Sequence, residues 1–251
     1  MKLELNNQSL FLAYSLVLIA MGFSYGQGLG LGREIFTSIL RAIVQLLLVG
    51  LVLDYIFGLK SFVFTSLLIV FMVLNAARTA SKRAPAIENS FAISFLAIGI
   101  SSLVTIAGLL ATRSISYIPE QVIPISGMII SNSMVAIGLA FKNMMEDFTK
   151  LRQEVETKLS LGANIKTSSL EIIKNSIKTG MAPTIDSAKT LGIVALPGMM
   201  SGLILAGTPP VLAVKYQIMV TFMLVATTSI GSFLASFMAY KKFFNSRQQL
   251  K

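Results

Sequence analysis

The side chains of this sequence that could do chemistry are mostly amides, with one arginine, set inside long apolar runs. Arg41 and Gln45 lie one helical turn apart in the second of these runs. Asn75 lies near the end of the third run, and Asn132 lies in the fifth. Polar groups inside a membrane span usually face a cavity or another helix, because exposing them to lipid costs free energy. These residues are candidates for a polar pathway, but Arg41 could equally snorkel to the interface and Gln45 could simply bond to another helix.

A second candidate feature is the proline- and glycine-containing segment of the sixth run. Pro197 removes a backbone donor and favours a kink. Gly198 and Gly202 form a GxxxG face, which allows another helix to pack closely. A broken helix of small residues often lines a translocation path, and a kinked packing helix is an equally good interpretation. Met199, like Met128, offers only a thioether, for which packing is the alternative role.

The residue types exclude several kinds of chemistry. The chain has no histidine and no cysteine, so it lacks imidazole and thiolate ligands and a disulfide framework. No GxxxxGK[ST], HExxH or GxSxG motif occurs. We therefore expect no catalytic residues and no cofactor bound directly by this chain. The apolar runs contain almost no carboxylates, so the sequence assigns no metal site.

The composition predicts a membrane protein. Of the 251 residues, 54% are hydrophobic and 13% are charged, whereas soluble domains carry roughly 25% charged residues. The net charge of +10 is concentrated in loops, which favours a membrane surface over nucleic acid as the partner. We predict an all-α, polytopic helical bundle forming one transmembrane domain, 1–251. Seven runs approach the length of about 20 residues that a span needs: 9–26, 34–57, 60–77, 90–111, 122–141, 188–207 and 211–240.

The basic residues also predict an orientation. If the spans alternate in direction, sixteen Lys and Arg side chains fall on one side of the membrane and four on the other. Cytoplasmic loops carry the excess of positive charge. We therefore predict that the N-terminus lies outside, the C-terminus lies in the cytoplasm, and the polar segment 142–187 between spans five and six is cytoplasmic.

The segment 142–187 has the pattern of two amphipathic helices joined by an elbow. Apolar residues recur every three or four positions before Gly162 and again after it. Gly162 favours a helix end, and Asn164 can cap the next helix. This hairpin could dock on a soluble partner or could lie on the membrane surface. The residues proposed for the docking role are Glu156, Leu159, Leu161, Gly162, Ala163 and Asn164.

Seven motifs in order resemble those of a known family. They are GREI at 32–35, Arg41 with Gln45, PISGM at 124–128 followed by Asn132 and Ser133, Glu156 with LSLGA at 159–163, LPGMMSG at 196–202, ILAG at 204–207, and AVKYQ at 213–217. Together they resemble the FetB-type permeases, also called YbbM-like. These are membrane subunits of bacterial ABC transporters associated with iron export and metal resistance.

The resemblance implies a homodimeric permease in the bacterial inner membrane. It also implies a separate ATPase subunit of the FetA type, which would bind ATP and Mg²⁺, and a small-solute substrate, with iron as one candidate. The segment 156–162 is similar to the EAA loop of ABC importers, so the elbow would couple to the ATPase. Two alternatives remain: an ABC importer permease for a metal or small polar solute, and a membrane scaffold without transport activity.

The predicted topology can be tested with reporter fusions. We expect an external signal from a fusion at Lys60, and cytoplasmic signals from fusions at Lys150 and Lys251, because the positive charge excess holds the basic loops inside. A cytoplasmic signal at Lys60, or an external signal at Lys150, would contradict this topology.

Overall fold

The computed structural model describes residues 14–59 and 61–251, so the start of the first predicted span lies outside the described residues. The regular secondary structure of the described residues is α-helical, apart from one short 3-10 helix, Tyr240–Phe243, and two isolated β-bridges. The predicted all-α class is therefore confirmed. The helices are α1 Ser15–Gly26, α2 Gly32–Leu59, α3 Phe62–Ser81, α4 Ser90–Ala111, α5 Pro119–Lys150, α6 Arg152–Ser160, α7 Ile165–Thr190, α8 Gly198–Leu205 and α9 Pro210–Ala239.

Five stretches of the described chain are helical, long enough and apolar enough to cross a membrane. They are Gly32–Gly58, Phe62–Ser81, Ser90–Ala111, Pro119–Lys150 and Pro210–Phe243. Helix α1 is apolar, but its described length is 12 residues. The sixth predicted span, 188–207, is not one helix, because α7 ends at Thr190 and α8 begins only at Gly198.

The chain divides into two compact units, Met1–Leu59 and Lys60–Lys251. In the first unit, α1 and α2 are joined by a tight turn with Gly28 and Gly30 at positive φ. Ser24 Oγ accepts a hydrogen bond from Leu31 N–H at 3.0 Å, which fixes this turn. The central part of α2 is apolar and exposed, as expected for a helix whose surroundings are lipid or protein.

In the second unit, α3, α4, α5, α7 and α9 pack together around a core in which alanines alternate with larger aliphatic and aromatic side chains. Ala77, Ala97 and Ala235 are completely buried there. Small residues let helix backbones approach closely where the hydrophobic effect between helices is weak. A stripe of four small residues on α9 packs into the bundle, because all four are fully buried: Thr228, Ser232, Ala235 and Ala239.

Two glycines mark the closest helix contacts. A Cβ on Gly231 would lie 2.5 Å from Ser133 Oγ, so α9 and α5 meet there. A Cβ on Gly180 would lie 2.7 Å from the carbonyl oxygen of Ala136 and 2.7 Å from Ser232 Oγ. Gly180 therefore holds α7 in the groove between α5 and α9.

Helix α7 runs antiparallel to α5. Thr179 Oγ1 donates to Asn143 Oδ1 at 3.1 Å, while Pro183 and Ser187 share a cavity with Asn132. Later residues of α7 therefore contact earlier residues of α5, as in any antiparallel helix pair. The second half of α7 lies beside the candidate span Pro119–Lys150, although this half carries charged residues.

The structure divides the predicted hairpin 142–187 differently from the sequence pattern. Residues 142–150 are the last turns of α5, and α7 continues past 187 to Thr190. The first helix predicted for this hairpin, before Gly162, is also interrupted at Leu151, where α5 ends and α6 begins. Only α6 and the first half of α7 form a compact feature at one end of the bundle.

The contact at Gly180 gives a stability prediction. We expect Gly180→Ala to lower stability by about 1–3 kcal/mol, because the added methyl group overpacks against the α5 backbone. The measurement is the midpoint of thermal unfolding of the purified protein in detergent.

The matched control is Gly99→Ala on α4, where no atom lies within 4 Å of the added Cβ. Alanine is the better helix former, so this variant is expected to keep or raise the midpoint. Equal midpoints for the two variants would contradict the proposed packing.

Candidate functional site

The elbow, residues 156–164, is a Schellman turn at the end of α6. Ala163 N–H donates to Lys158 O at 3.0 Å, and Gly162 N–H donates to Leu159 O at 2.9 Å. These are the two bonds of that motif, and they satisfy carbonyls at the helix end. Gly162 has φ +90°, where an L side chain is strained. The chain therefore needs glycine at this position to reverse direction.

Asn164 begins the second arm. Its Oδ1 accepts a hydrogen bond from Thr167 N–H at 2.8 Å, which caps the N-terminus of α7. This geometry matches the helix–glycine–cap pattern predicted from the sequence. Leu159 is half-buried against the core, whereas Leu161 is 83% exposed at the tip. The elbow thus presents one large apolar side chain outward.

Charged contacts connect α6, here called the elbow helix, with other segments at the same end of the bundle. Glu156 accepts a hydrogen bond from Arg152 Nε at 2.8 Å, and Arg152 also donates to the main-chain oxygen of Lys251 at 3.0 Å. Lys251 Nζ in turn donates to Glu88 at 2.7 Å, in the loop between α3 and α4. The elbow helix, the last residue and this loop therefore form one charged surface.

Two pKa shifts follow from these contacts. The hydrogen bond from Lys251, together with its positive charge, lowers the pKa of the Glu88 carboxyl. The hydrogen bond to Glu154 raises the pKa of the Lys158 ammonium. Because the folded pKa of Glu88 is lowered, its contact with Lys251 is complete above the usual glutamate pKa and is lost as pH falls through the lowered value. The Glu88 carboxyl is therefore ionised at neutral pH.

A cavity of about 230 Å³ lies between α5, α7 and α9. Its polar lining comes from all three helices: Asn132 of α5, Thr184 and Ser187 of α7, and Gln217 and Thr221 of α9. Because α5 and α9 are candidate membrane spans, these polar groups lie where a lipid-facing helix would be apolar. The cavity is the strongest candidate for a polar site in the second unit.

The amides of this cavity are unequally satisfied. Asn132 donates from Nδ2 to Met128 O at 2.9 Å, within its own helix. Gln217 Oε1 is shut off from solvent and accepts no hydrogen bond from any described residue. A buried polar atom without a partner costs free energy unless water or a ligand supplies one. Gln217 is therefore a cavity-lining amide whose oxygen is buried without a partner among the described residues.

The interruption between α7 and α8 lines the same cavity. Leu191 and Pro197, at the two ends of the connecting turn, both contribute to the wall. Pro197 was predicted to kink a continuous helix, but it is the residue before the first turn of α8 and the helix is fully interrupted. The physical reason is that Gly192 takes φ +79°, which ends α7 in a turn.

An exposed ion pair flanks the cavity on α7. Lys189 Nζ lies 3.0 Å from Asp186 Oδ1, and the two side chains are 68% and 69% exposed. In the sequence they lie on either side of Ser187 and Ala188, which line the cavity. A charged pair beside a candidate span is costly in lipid, so such groups usually face protein or a water-filled space.

Four other predicted pathway residues of the second unit do not line this cavity. Asn75 is exposed on α3 and donates to Phe71 O at 2.8 Å. Met199 packs against the apolar cluster of α5 and α9. Gly198 and Gly202 have no atom within 4 Å of an added Cβ, so their GxxxG face carries no described neighbour.

Arg41 and Gln45 belong to the first unit. Both are exposed on α2, four residues apart as predicted, and no hydrogen bond of their side chains lies within the described chain. Their assignment to a pathway stays a prediction.

Sequence reasoning missed Gln217, Thr184, Ser187 and Thr221. The sequence did contain a signal for Gln217, because Gln217, like Gln45, is a glutamine inside a long apolar run. Thr184 and Ser187 gave no such signal, since they were assigned to the cytoplasmic hairpin or its boundary. No group of three His, Cys, Asp or Glu side chains that could hold a metal ion occurs in the part of the chain that the structure describes.

Comparison with known proteins identifies the family. The sequence pattern of the uncharacterised protein family UPF0014 matches residues 7–244. This chain belongs to the UPF0014 family. It is 48% identical over 247 residues to the "Probable iron export permease protein FetB" of Escherichia coli strain K12, covering 98% of this chain and 95% of that protein.

More distant UPF0014 members come from other bacteria and from plants. The membrane protein YjkA of Bacillus subtilis is 38% identical, covering 97% of both chains. The membrane protein STAR2 of rice is 36% identical, covering 95% of this chain and 84% of that protein. No solved structure matches this chain significantly. The chain is a multi-pass membrane protein of this family, and its relatives are named as permeases or membrane proteins rather than enzymes.

The elbow geometry gives a local prediction. We expect Gly162→Ala to destabilise the turn by about 1–2 kcal/mol, because alanine is strained at positive φ. Hydrogen exchange at the amides of Gly162 and Ala163, measured by mass spectrometry, is expected to become faster. The melting temperature is expected to change little, since the turn is exposed.

Gly162→Asn is the matched control, because asparagine tolerates this backbone conformation better than alanine. Its exchange is expected to fall between those of the wild type and Gly162→Ala. Unchanged exchange in Gly162→Ala would show that the turn does not depend on glycine.

Proposed function

We propose that this chain is the membrane permease subunit of an ABC transporter that exports iron or another metal or small solute. The observation that carries the proposal is the 48% identity, over nearly the whole chain, to a protein named as a probable iron export permease. The interrupted polar element beside two candidate spans supports it, because discontinuous helices of transporters often surround the substrate site.

The energy source is a separate ATPase subunit. This chain has no GxxxxGK[ST] motif, so ATP and Mg²⁺ bind on the partner and no cofactor binds here directly. The elbow is the docking element, since it combines the exposed Leu161 with the ion pair of Glu156 and Arg152. An apolar anchor surrounded by charges is the usual composition of a protein interface.

A second copy of the chain completes the transporter. The exposed pair of Asp186 and Lys189 supports this, because in a single copy it would face lipid beside α5. In a symmetric dimer the pair would face the partner or a water-filled space between the copies. The complete transport domain therefore extends over the whole chain of both copies.

The protein crosses the bacterial inner membrane seven times, with the N-terminus outside and the C-terminus in the cytoplasm. The sixth crossing is formed by the second half of α7, the turn that follows it and α8. Arg83 supports this arrangement. Its side chain lies against Gly138 of α5, so the basic loop after α3, which is cytoplasmic in this topology, reaches α5 near that residue. Residues of α7 beyond Gly180 lie beside Asn132, which is closer than Gly138 to the N-terminal end of α5, and are therefore further from the cytoplasm.

The proposal predicts coupled ATP hydrolysis and iron movement in vesicles that contain both subunits. We expect ATP-dependent iron transport with the wild-type chain. The Gly162→Pro and Glu156→Lys variants are expected to remain in the membrane. Their rate of transport-stimulated ATP hydrolysis is expected to fall at least tenfold. Proline cannot form the turn, and lysine reverses the charge that holds Arg152.

Glu154→Lys is the matched control. Glu154 also pairs with a cation four residues away on α6, but it precedes the elbow. This variant is expected to keep most of the coupled activity. If Glu156→Lys and Gly162→Pro couple normally, the elbow has no role in docking, and if the wild type moves no iron with any ATPase partner, the proposed function is wrong.

A further inference from the structure

We propose that the C-terminal turn, residues 243–251, fixes the direction of the elbow helix α6, and that Asn245 and Lys251 are positioning residues of the docking surface. The turn contacts the chain on both sides of the break at Leu151, where α5 ends and α6 begins. This inference rests on the proposed function, in which the elbow docks on the ATPase, and it identifies the segment that orients the elbow before docking.

The break at Leu151 leaves the direction of α6 to be set by other contacts. Leu151 has φ −99° and ψ 18°, outside the α-helical range. Its N–H donates to Asp147 O at 2.8 Å and completes α5, whereas its carbonyl accepts from Val155 N–H at 3.0 Å and begins α6. Each helix is regular up to this residue, but the regular geometry does not continue through it. The angle between the two helices therefore depends on the segments that pack across the break.

The C-terminal turn is fixed to the chain before the break by aromatic packing. The Phe243 ring stacks on the Phe148 ring of α5, with the ring centroids 4.1 Å apart. The Phe244 ring meets Phe148 edge-on, with the centroids 5.8 Å apart. Phe148 and Phe244 are buried, and removing such rings from water stabilises the contact. The start of the turn therefore has a fixed position on the last turns of α5.

The end of the same turn contacts the chain after the break. Arg152, the first residue of α6, donates from Nη1 to the main-chain oxygen of Lys251 at 3.0 Å and from Nε to Glu156 at 2.8 Å. One guanidinium thus joins the turn to a carboxylate proposed for docking. Lys251 Nζ also donates to Glu88 at 2.7 Å. Exposed ion pairs add little to global stability, so we assign these contacts a role in direction: Val155 packs the middle of α6 on the core, and the turn fixes its beginning.

Asn245 gives the C-terminal turn its shape. Its Oδ1 accepts hydrogen bonds from the N–H groups of Arg247 and Gln249, each at 2.9 Å. A main-chain bond from Asn245 N–H to Gln249 O, at 2.9 Å, closes the turn. Side-chain oxygens of Asn and Asp commonly form such turns, because they replace a backbone acceptor. Asn245 therefore brings Lys251 back to Arg152 and acts on α6 through these two residues.

Spin labels on the two sides of the break test the proposal. The chain contains no cysteine, so Lys142→Cys on α5 and Ser160→Cys at the end of α6, both at exposed positions, can be labelled selectively. Pulsed EPR then gives the distribution of distances between the labels in the full chain in nanodiscs, diluted with an excess of unlabelled chain. We expect one narrow distribution, because the turn contacts the chain before and after the break.

Variants of the turn identify the cause of this narrow distribution. Asn245→Ala removes the acceptor of both side-chain bonds, so the distribution is expected to become about twice as wide as α6 samples more directions. Asn245→Asp is the matched control, because it keeps an acceptor oxygen and is expected to restore the original width. Arg152→Gln breaks the link between the turn and α6. Adding Asn245→Ala to it is expected to cause no further widening, since both changes remove the same contact.

An unchanged width in Asn245→Ala would overturn the proposal, and so would equal widths in Asn245→Ala and Asn245→Asp or further widening in the double variant. With the ATPase subunit present, Asn245→Ala is expected to raise the ATPase concentration for half-maximal hydrolysis about fivefold and to change the maximal rate little, because fewer elbows have the docking direction.

The EPR measurement contains no ATPase, so its result is independent of the transport assay. Iron transport with no widening in Asn245→Ala would leave the proposed function standing and remove the role of the turn. Widening without any transport would support the role of the turn in orienting α6 and remove the proposed function.

Discussion

The backbone contact of α7 with α5 at Gly180 is the constraint on which the rest of the second unit depends. Any side chain there would enter the space of the Ala136 carbonyl and of Ser232, so only glycine lets α7 lie between α5 and α9. The cavity and the charged pair beside it exist because α7 is held against the candidate spans.

Helix α7 also connects the two candidate sites. Its first residue follows the Asn164 cap of the elbow, and its last turns form the wall that carries Thr184 and Ser187. A helix of 26 residues is about 39 Å long at 1.5 Å per residue. No loop interrupts this helix, so one continuous element joins the elbow to the cavity wall.

The interior of the bundle is polar in an unusual way. Buried hydroxyl groups occur on every helix of the core, and several bond to the carbonyl one turn earlier, as Thr105 and Ser176 do. Such bonds satisfy the hydroxyl without requiring a partner helix. The Oε1 atom of Gln217 and seven buried hydroxyl groups have no hydrogen-bond partner among the described residues. A buried polar atom without a partner therefore does not by itself distinguish a binding role from a packing role.

The sequence by itself determined the helical membrane class and the elbow with its glycine and its asparagine cap. These features depend on local chemistry: apolar run length, the backbone conformation at Gly162 and the capping side chain of Asn164. The sequence did not determine where α7 lies, because its charged residues match a soluble helix equally well and its packing depends on Gly180 meeting partners about 40 and 50 residues away. Only the tertiary structure therefore brought Gln217 and Thr184 to Asn132, since no local pattern records a contact between three separate helices.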